Sequence, residues 1–170
     1  MDTGHFYFID DKYFVDFPDD NLMRNHETVN GVIHDRPCLY SFKDKNTGIY
    51  WAIPFSSKVA KYKSIYNKKV EKRGICDTID FGYVLGYEKA FLIQNMCPFT
   101  DDYIRNEYIS NGSPVQLDYN TQKRIIGKAV KVLRLHRQGK PLIFPDVLKI
   151  ESELINRQKL QGDLLVGAVH

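Results

Sequence analysis

Arg36–Pro54 reads RPCLYSFKDKNTGIYWAIP. Two β-prone runs, Arg36–Lys43 and Ile49–Pro54, flank a polar turn, Asp44–Gly48, that carries Asn and Gly. That pattern predicts an antiparallel hairpin. The second strand is expected to end at Pro54, because proline has no N–H to give to a ladder. With the turn near residue 46, Arg36 falls opposite residue 56 or so. Outward from the hairpin, His5–Ile9 alternates Phe6 and Phe8 against Tyr7 and Ile9 as a first strand. Cys76–Val84 and Lys89–Gln94 read as two further strands around Gly86, and Asn95–Phe99 as a turn at Pro98. Hairpin-connected strands make a mostly antiparallel sheet of about five or six short strands.

Helices fill the intervals. Asp10 and Asp11 can cap a short helix from Lys12 to Phe17, stopped by Pro18. Lys58–Lys72 has good helix formers and no breaker. Thr100–Ile109 reads as a helix capped by Thr100 with acids in its first turn. The clearest helix is Asn120–Gln138, with Ile126, Ala129, Leu133 and His136 on one face and Gly139 beyond its end. A last helix opens at Pro145–Asp146 and runs to about Lys159. Asp19–Asp35 reads as a long loop holding His26 and His34, a length that is often functional in a compact domain. Asn111–Pro114 is a loop, and Gly162–His170 is expected to fray. Residues 1–170 form a single α+β domain with no repeat or linker.

Composition narrows the function. Of the 170 residues, 43% are hydrophobic and 26% charged, so a packed core is expected rather than disorder. No apolar run approaches the ~18 residues that span a bilayer, and the acidic N-terminus is no signal peptide. Cys38, Cys76 and Cys97 are odd in number and widely spaced, which fits reduced thiols in a cytoplasmic protein. The net charge of +3 conceals segregation. Lys58–Arg73 holds seven basic side chains and one acid, with Tyr62 and Tyr66 threaded between them. Residues 121–140 hold seven basic side chains and no acid. Residues 1–30 hold seven acids against Lys12 and Arg24. Two basic segments, one with interleaved aromatics, are the footprint of a phosphate-backbone binder. Lys61, Tyr62, Lys63, Tyr66, Lys68, Lys69, Lys72 and Arg73 form one candidate RNA grip; Lys128, Lys131 and Arg134 form a second.

P-loop and dinucleotide motifs are absent, as are a Cys/His metal cluster and a GxSxG elbow. No cofactor or metal is called for. RNA cleavage fits what remains, because the substrate's 2′-hydroxyl is the nucleophile. The protein must align the attack and stabilise charge on the phosphorane. Ser56 and Ser57 supply hydroxyls where the second strand of the hairpin ends, and Lys58 a cation. Arg36, opposite them, adds a planar fork suited to phosphate. His34 and His26 are candidates for general acid or base. Serines after a strand also serve as plain turn residues.

The segments FYFIDDKYF (6–14), RPCLYSF (36–42), YWAIPFSSKVAKYK (50–63) and KAFLIQNMCPF (89–99), in this order, resemble the toxins of type III toxin–antitoxin systems, the ToxN/AbiQ superfamily. The middle of the chain is most similar to the CptN branch. The resemblance runs from Phe6 to Ile150. It implies a metal-independent endoribonuclease with a compact β-barrel-like core of the MazF/Kid type and appended helices. It implies cleavage to a 2′,3′-cyclic phosphate. As partners it implies cellular RNA and a repetitive, pseudoknotted RNA antitoxin, which the toxin processes and which joins it in a closed hetero-oligomer. By position, Ser57 matches the family's essential serine, Ser56 its preceding hydroxyl residue, and Arg36 its strand-start cation. Tyr13 matches a tyrosine of the N-terminal segment. Lys58 stands where other members have proline. Two other readings fit the residues: a MazF-like ribonuclease held by a protein antitoxin, and an RNA-binding module without catalysis.

Overall fold

Alternating apolar side chains and well-placed caps organise the chain into eleven strands and four α-helices among the described residues. A computed structural model describes residues 1–167. In order these are β1 (Phe6–Ile9), α1 (Asp11–Asp16), β2 (His26–Val29), β3 (Val32–Asp35), β4 (Pro37–Lys43) and β5 (Tyr50–Ser56). Then follow α2 (Val59–Arg73), β6 (Asp80–Val84), β7 (Tyr87–Phe91), β8 (Cys97–Phe99) and β9 (Ile104–Glu107). β10 (Ile109–Ser110), β11 (Ser113–Pro114), α3 (Tyr119–Arg137) and α4 (Val147–Gly167) complete the chain.

The architecture is α+β, with every strand pair antiparallel. One sheet runs β6-β7-β5-β4-β1-β9, with β8 also on β5. Its end strands β6 and β9 do not pair with each other among the described residues, so the sheet is open. β5 is its axis. β4 lies along one side, while β8 takes Tyr50–Ala52 and β7 takes Phe55–Ser56 on the other.

Pro54 therefore does not end the second strand, which continues to Ser56. The Pro54 carbonyl accepts from Leu92 N at 2.9 Å. Its missing donor thus faces the gap where β8 gives way to β7, and no ladder bond is lost.

The period-2 alternation sends Phe6, Leu39, Trp51 and Ile53 to one face, against Ile125, Ala129, Val132 and Leu133 of α3. Tyr7, Tyr40 and Ala52 go to the other face, against Tyr13 of α1 and Ile150 and Leu154 of α4. The face of α3 is thus 125/129/132/133; Ile126 and His136 are only half-buried. Asp118 caps this helix by accepting from Thr121 N at 3.0 Å, and Asp10 caps α1 through Lys12 N at 2.8 Å. No helix among the described residues is long and apolar enough to cross a membrane.

Five further expectations change, the first at Asn95–Phe99, where the expected turn at Pro98 is instead strand β8, with Pro98 opposite Trp51 of β5. The long loop over Asp19–Asp35 contains the β2–β3 hairpin, turned at Asn30 (φ 52°) and Gly31 (φ 78°), the left-handed pair that two-residue hairpins demand. Thr100–Ile109 is no α-helix: a single 3₁₀ turn at Asp101–Tyr103 leads into β9, which bonds to β1. Asn111–Pro114 is the turn and second strand of the β10–β11 hairpin. The last helix passes Lys159 and includes 162–167, while 168–170 lie outside the described residues.

Candidate active site

Register in two strand pairs assembles the site. Cys38 faces Pro54 across β4–β5, and Arg36, just ahead of β4, lines the same pocket as Ser56 at the end of β5. Ser56 faces Ala90 in the last pair of the β5–β7 ladder, and Ser57 and Lys89 come next to that pair in the chain. The Lys89 ammonium completes that relation by donating to Ser57 Oγ at 2.7 Å. Ser56 Oγ accepts from the backbone N–H of Lys58 at 3.2 Å. Each hydroxyl oxygen is thus held by a donor, which leaves its own proton to be given outward.

These groups line a pocket of about 300 Å³ together with Glu27, His34, Leu85, Tyr87 and Tyr108. Arg36 is half-buried and ion-paired with Glu27, and its backbone N–H is fixed by Asn25 O at 2.8 Å. His34 faces Glu27 across the β2–β3 hairpin and stands exposed at the pocket mouth. Tyr87 is 71% exposed at the rim, with the Lys89 ammonium 5.8 Å from its ring centre. Behind Ser57, α2 begins at Val59 with no side-chain cap. The Val59 N–H donates to Ser57 O at 2.9 Å, so the chain turns directly from the hydroxyl pair into the helix.

The structure thus brings Arg36, Ser56, Ser57 and His34 together and leaves three candidates outside the pocket. Lys58 is exposed, is the N-cap residue of α2 and does not line the pocket. Tyr13 is fully buried beneath the opposite sheet face and donates its hydroxyl to Pro98 O at 2.8 Å. Burial also pushes the Tyr13 hydroxyl's pKa well above the usual phenol value, so this side chain packs and hydrogen-bonds a backbone. His26 bridges Asp11 and Asp35, at 2.7 Å each, below the hairpin. Lys89, Glu27, Tyr87 and Tyr108 were invisible in the local pattern. Their only signal was a lone lysine in the YEKAF run.

The two basic segments are unevenly available. On α2, Lys61, Lys68, Lys72 and Arg73 are exposed. Lys63 is paired with Glu88 at 2.8 Å, and Tyr62 is half-buried. Lys69 is bonded to Thr78 and Gln94, at 2.8 and 2.7 Å, and burial holds its ammonium below the usual lysine range. Tyr66 packs edge-on against Phe81 at 5.6 Å. On α3, Arg124 and Lys128 converge on the buried Asp80, each at 3.1 Å, and Lys131 pairs with Asp77 at 2.6 Å. Burial alone would raise the Asp80 pKa; those cations and the Phe81 N–H outweigh it and hold it low. Arg134 is exposed.

No family model and no curated protein matches the chain. A solved structure does. It is AbiQ, a lactococcal anti-phage endoribonuclease belonging to the type III toxin–antitoxin system, matched at a TM-score of 0.66 over 93% of this chain and 99% of that one. The two chains share a fold. Their sequences are 16% identical, so the likeness is one of architecture.

Proposed function

We propose that this protein is an endoribonuclease toxin of a type III toxin–antitoxin system. The observation that carries the reading is the convergence of Arg36, Ser56, Ser57 and Lys89 in one pocket, on a fold shared with AbiQ. In this reading the substrate's 2′-oxygen attacks the adjacent phosphorus and the bond to the 5′-oxygen breaks. The products are a 2′,3′-cyclic phosphate and a 5′-hydroxyl, with no metal required. Arg36 and Lys89 face the charge that grows on the non-bridging oxygens, and Ser57 donates to one of them. His34, at the mouth, is positioned to exchange a proton with the entering or leaving oxygen. Lys61, Lys68, Lys72, Arg73 and Arg134 grip the backbone outside the pocket.

The partner in this reading is a repetitive, pseudoknotted RNA antitoxin that the enzyme processes and with which it closes into a hetero-oligomer in the cytoplasm. The affinity to the CptN branch and to the MazF/Kid barrel rests on sequence resemblance alone. Ser57→Ala tests the whole. It should abolish RNA cleavage in EDTA, and with it the cyclic-phosphate ends, while the thermal melt and RNA binding persist. A fully active Ser57→Ala protein would remove this pocket from the chemistry.

A further inference from the structure

Between the β4–β5 turn and the C-terminal half of α3 lies a cavity of about 560 Å³ that, its rim residue Arg134 apart, no step above uses. Its size is that of a small-ligand site, about 300–1,000 Å³. The floor is apolar: Phe42 half-buried, Val130 47% exposed, and Leu133 beneath them. The Phe42 ring lies nearly parallel to Trp51, at 14° and 6.3 Å, so its orientation is set from below. The rim is cationic, with Lys43, Lys45, Arg134 and Arg137.

Not all of that charge is free. Asp44, the one acid among the residues lining the cavity, is bound by Arg137 at 2.7 Å, and Arg137 also binds Glu151. Lys43 leans on the Tyr50 ring at 4.7 Å. Lys45 and Arg134 have no anionic partner among the described residues. Cations are favoured in the last turn of a helix, which accounts for Arg134 and Arg137 on α3. It does not account for the open apolar floor beside them.

An apolar floor and unpaired cations at its rim are both satisfied by one kind of ligand, a flat apolar face with an anion attached. An unstacked nucleotide has that form, whereas a duplex hides its base faces. Phe42 is six residue steps along the chain from Arg36, about 20 Å at ~3.3 Å per extended step, so this is not the phosphate pocket.

We propose that the cavity binds one unstacked base of a single-stranded RNA whose scissile phosphate lies at Arg36 and Ser57. The choice of RNA rests on the endoribonuclease reading; the cavity's chemistry does not. Trp51 is the chain's one tryptophan, so its emission reports on this floor. In Ser57→Ala protein, an unstructured ten-nucleotide RNA should change Trp51 emission saturably. Lys45→Glu combined with Val130→Asp, both at exposed positions, should weaken that response at least tenfold. A blunt duplex of the same sequence should bind without the emission change. An unchanged emission at saturating single strand overturns the proposal, as does an equal loss of single-strand and duplex binding. So does an acidic peptide that alone produces the signal. A wild-type protein that cleaves no RNA yet keeps the Trp51 response and its loss in the variant overturns the nuclease reading and leaves the base site standing.

Discussion

Lys89 lies next to the Ser56–Ala90 pair that ends the β5–β7 ladder, and its ammonium donates to the Ser57 hydroxyl at 2.7 Å. The serine oxygen is therefore fixed by a cation, and the cation is fixed beside the space a phosphate would take. If Lys89 acts only through strand packing, any long apolar side chain should replace it. If it faces developing charge, Lys89→Met should lower the cleavage rate by about 10²-fold, as loss of one preorganised donor does. Lys89→Arg should recover most of that rate, and the melting temperature should hardly move in either. Equal rates for wild type and Lys89→Met would exclude the role.

The two basic helices should respond differently to substitution. Lys68, Lys72 and Arg73 project from α2 into solvent. Reversing any two should weaken RNA binding and reduce the salt dependence by about 0.7 log units per lost single-strand contact. Arg124 and Lys131 are engaged with Asp80 and Asp77. Arg124→Met or Lys131→Met should cost stability instead, about 1 kcal/mol or less for such part-exposed pairs, with a nearly unchanged salt slope. Salt titrations and thermal melts on these variants separate the two groups.

Local pattern carried the β4–β5 hairpin, and through it the meeting of Arg36 with Ser56, because a short turn transmits register directly. The Lys89–Ser57 relation depends on β7 joining β5 from 32 residues away. Nothing in the YEKAF run states which edge it will take. The β2–β3 hairpin does carry a local signal, since Asn30-Gly31 between Val29 and Val32 is a strong two-residue turn. Its strands, HETV and VIHD, carry no period-2 apolar alternation, in keeping with a β3 whose four residues are all exposed. At 100–109 the acids after Thr100 looked like a helix start, yet tertiary pairing with β1 prevailed over the local signal. Tyr13 resembled a site residue by position in sequence. Its place under the sheet depended on α1 packing, which no local pattern reports.

The same hairpin gives a pH dependence. It delivers His34 and Glu27 to the pocket, and its base is tied to α1 through His26, which bridges Asp11 and Asp35. The hydrogen bond to Asp11 raises the His26 pKa above the ordinary 6.5; burial opposes it, and the bond to Asp35 adds to the rise. His26 therefore contributes fully below pH 6.5, and that contribution is lost as pH rises through its raised folded value. Asp11 is held below the ordinary 3.8, first by Asn25 and then by His26, and Asp35 first by Arg105. Their contributions are present above 3.8 and disappear as pH falls through the lowered values. The tie is thus strongest between these limits and loosens towards alkaline pH. His26→Gln should destabilise the protein by less than about 1 kcal/mol at pH 5.5 and by still less at pH 8.5. Thermal melts of both proteins across that range check the sign, and a larger loss at pH 8.5 would contradict it.

Gly82 shows how closely α3 approaches the sheet edge. A Cβ added there would lie 2.7 Å from Thr121 Cγ2 and 3.3 Å from the Phe91 ring. Thr121 sits in the first turn of α3, beside the Asp118 cap, and Phe91 belongs to the main core. Neither can withdraw without moving the helix or reopening the packing around Phe6 and Phe55, which the Phe91 ring touches. Gly82→Ala should therefore destabilise by about 1–3 kcal/mol, the usual cost of overpacking a filled site. Thr121→Ser removes the crowding methyl, so the double variant should recover part of that loss while Thr121→Ser alone changes little. Additive effects in a double-mutant cycle measured by denaturant melts would show that the helix does not press on this strand.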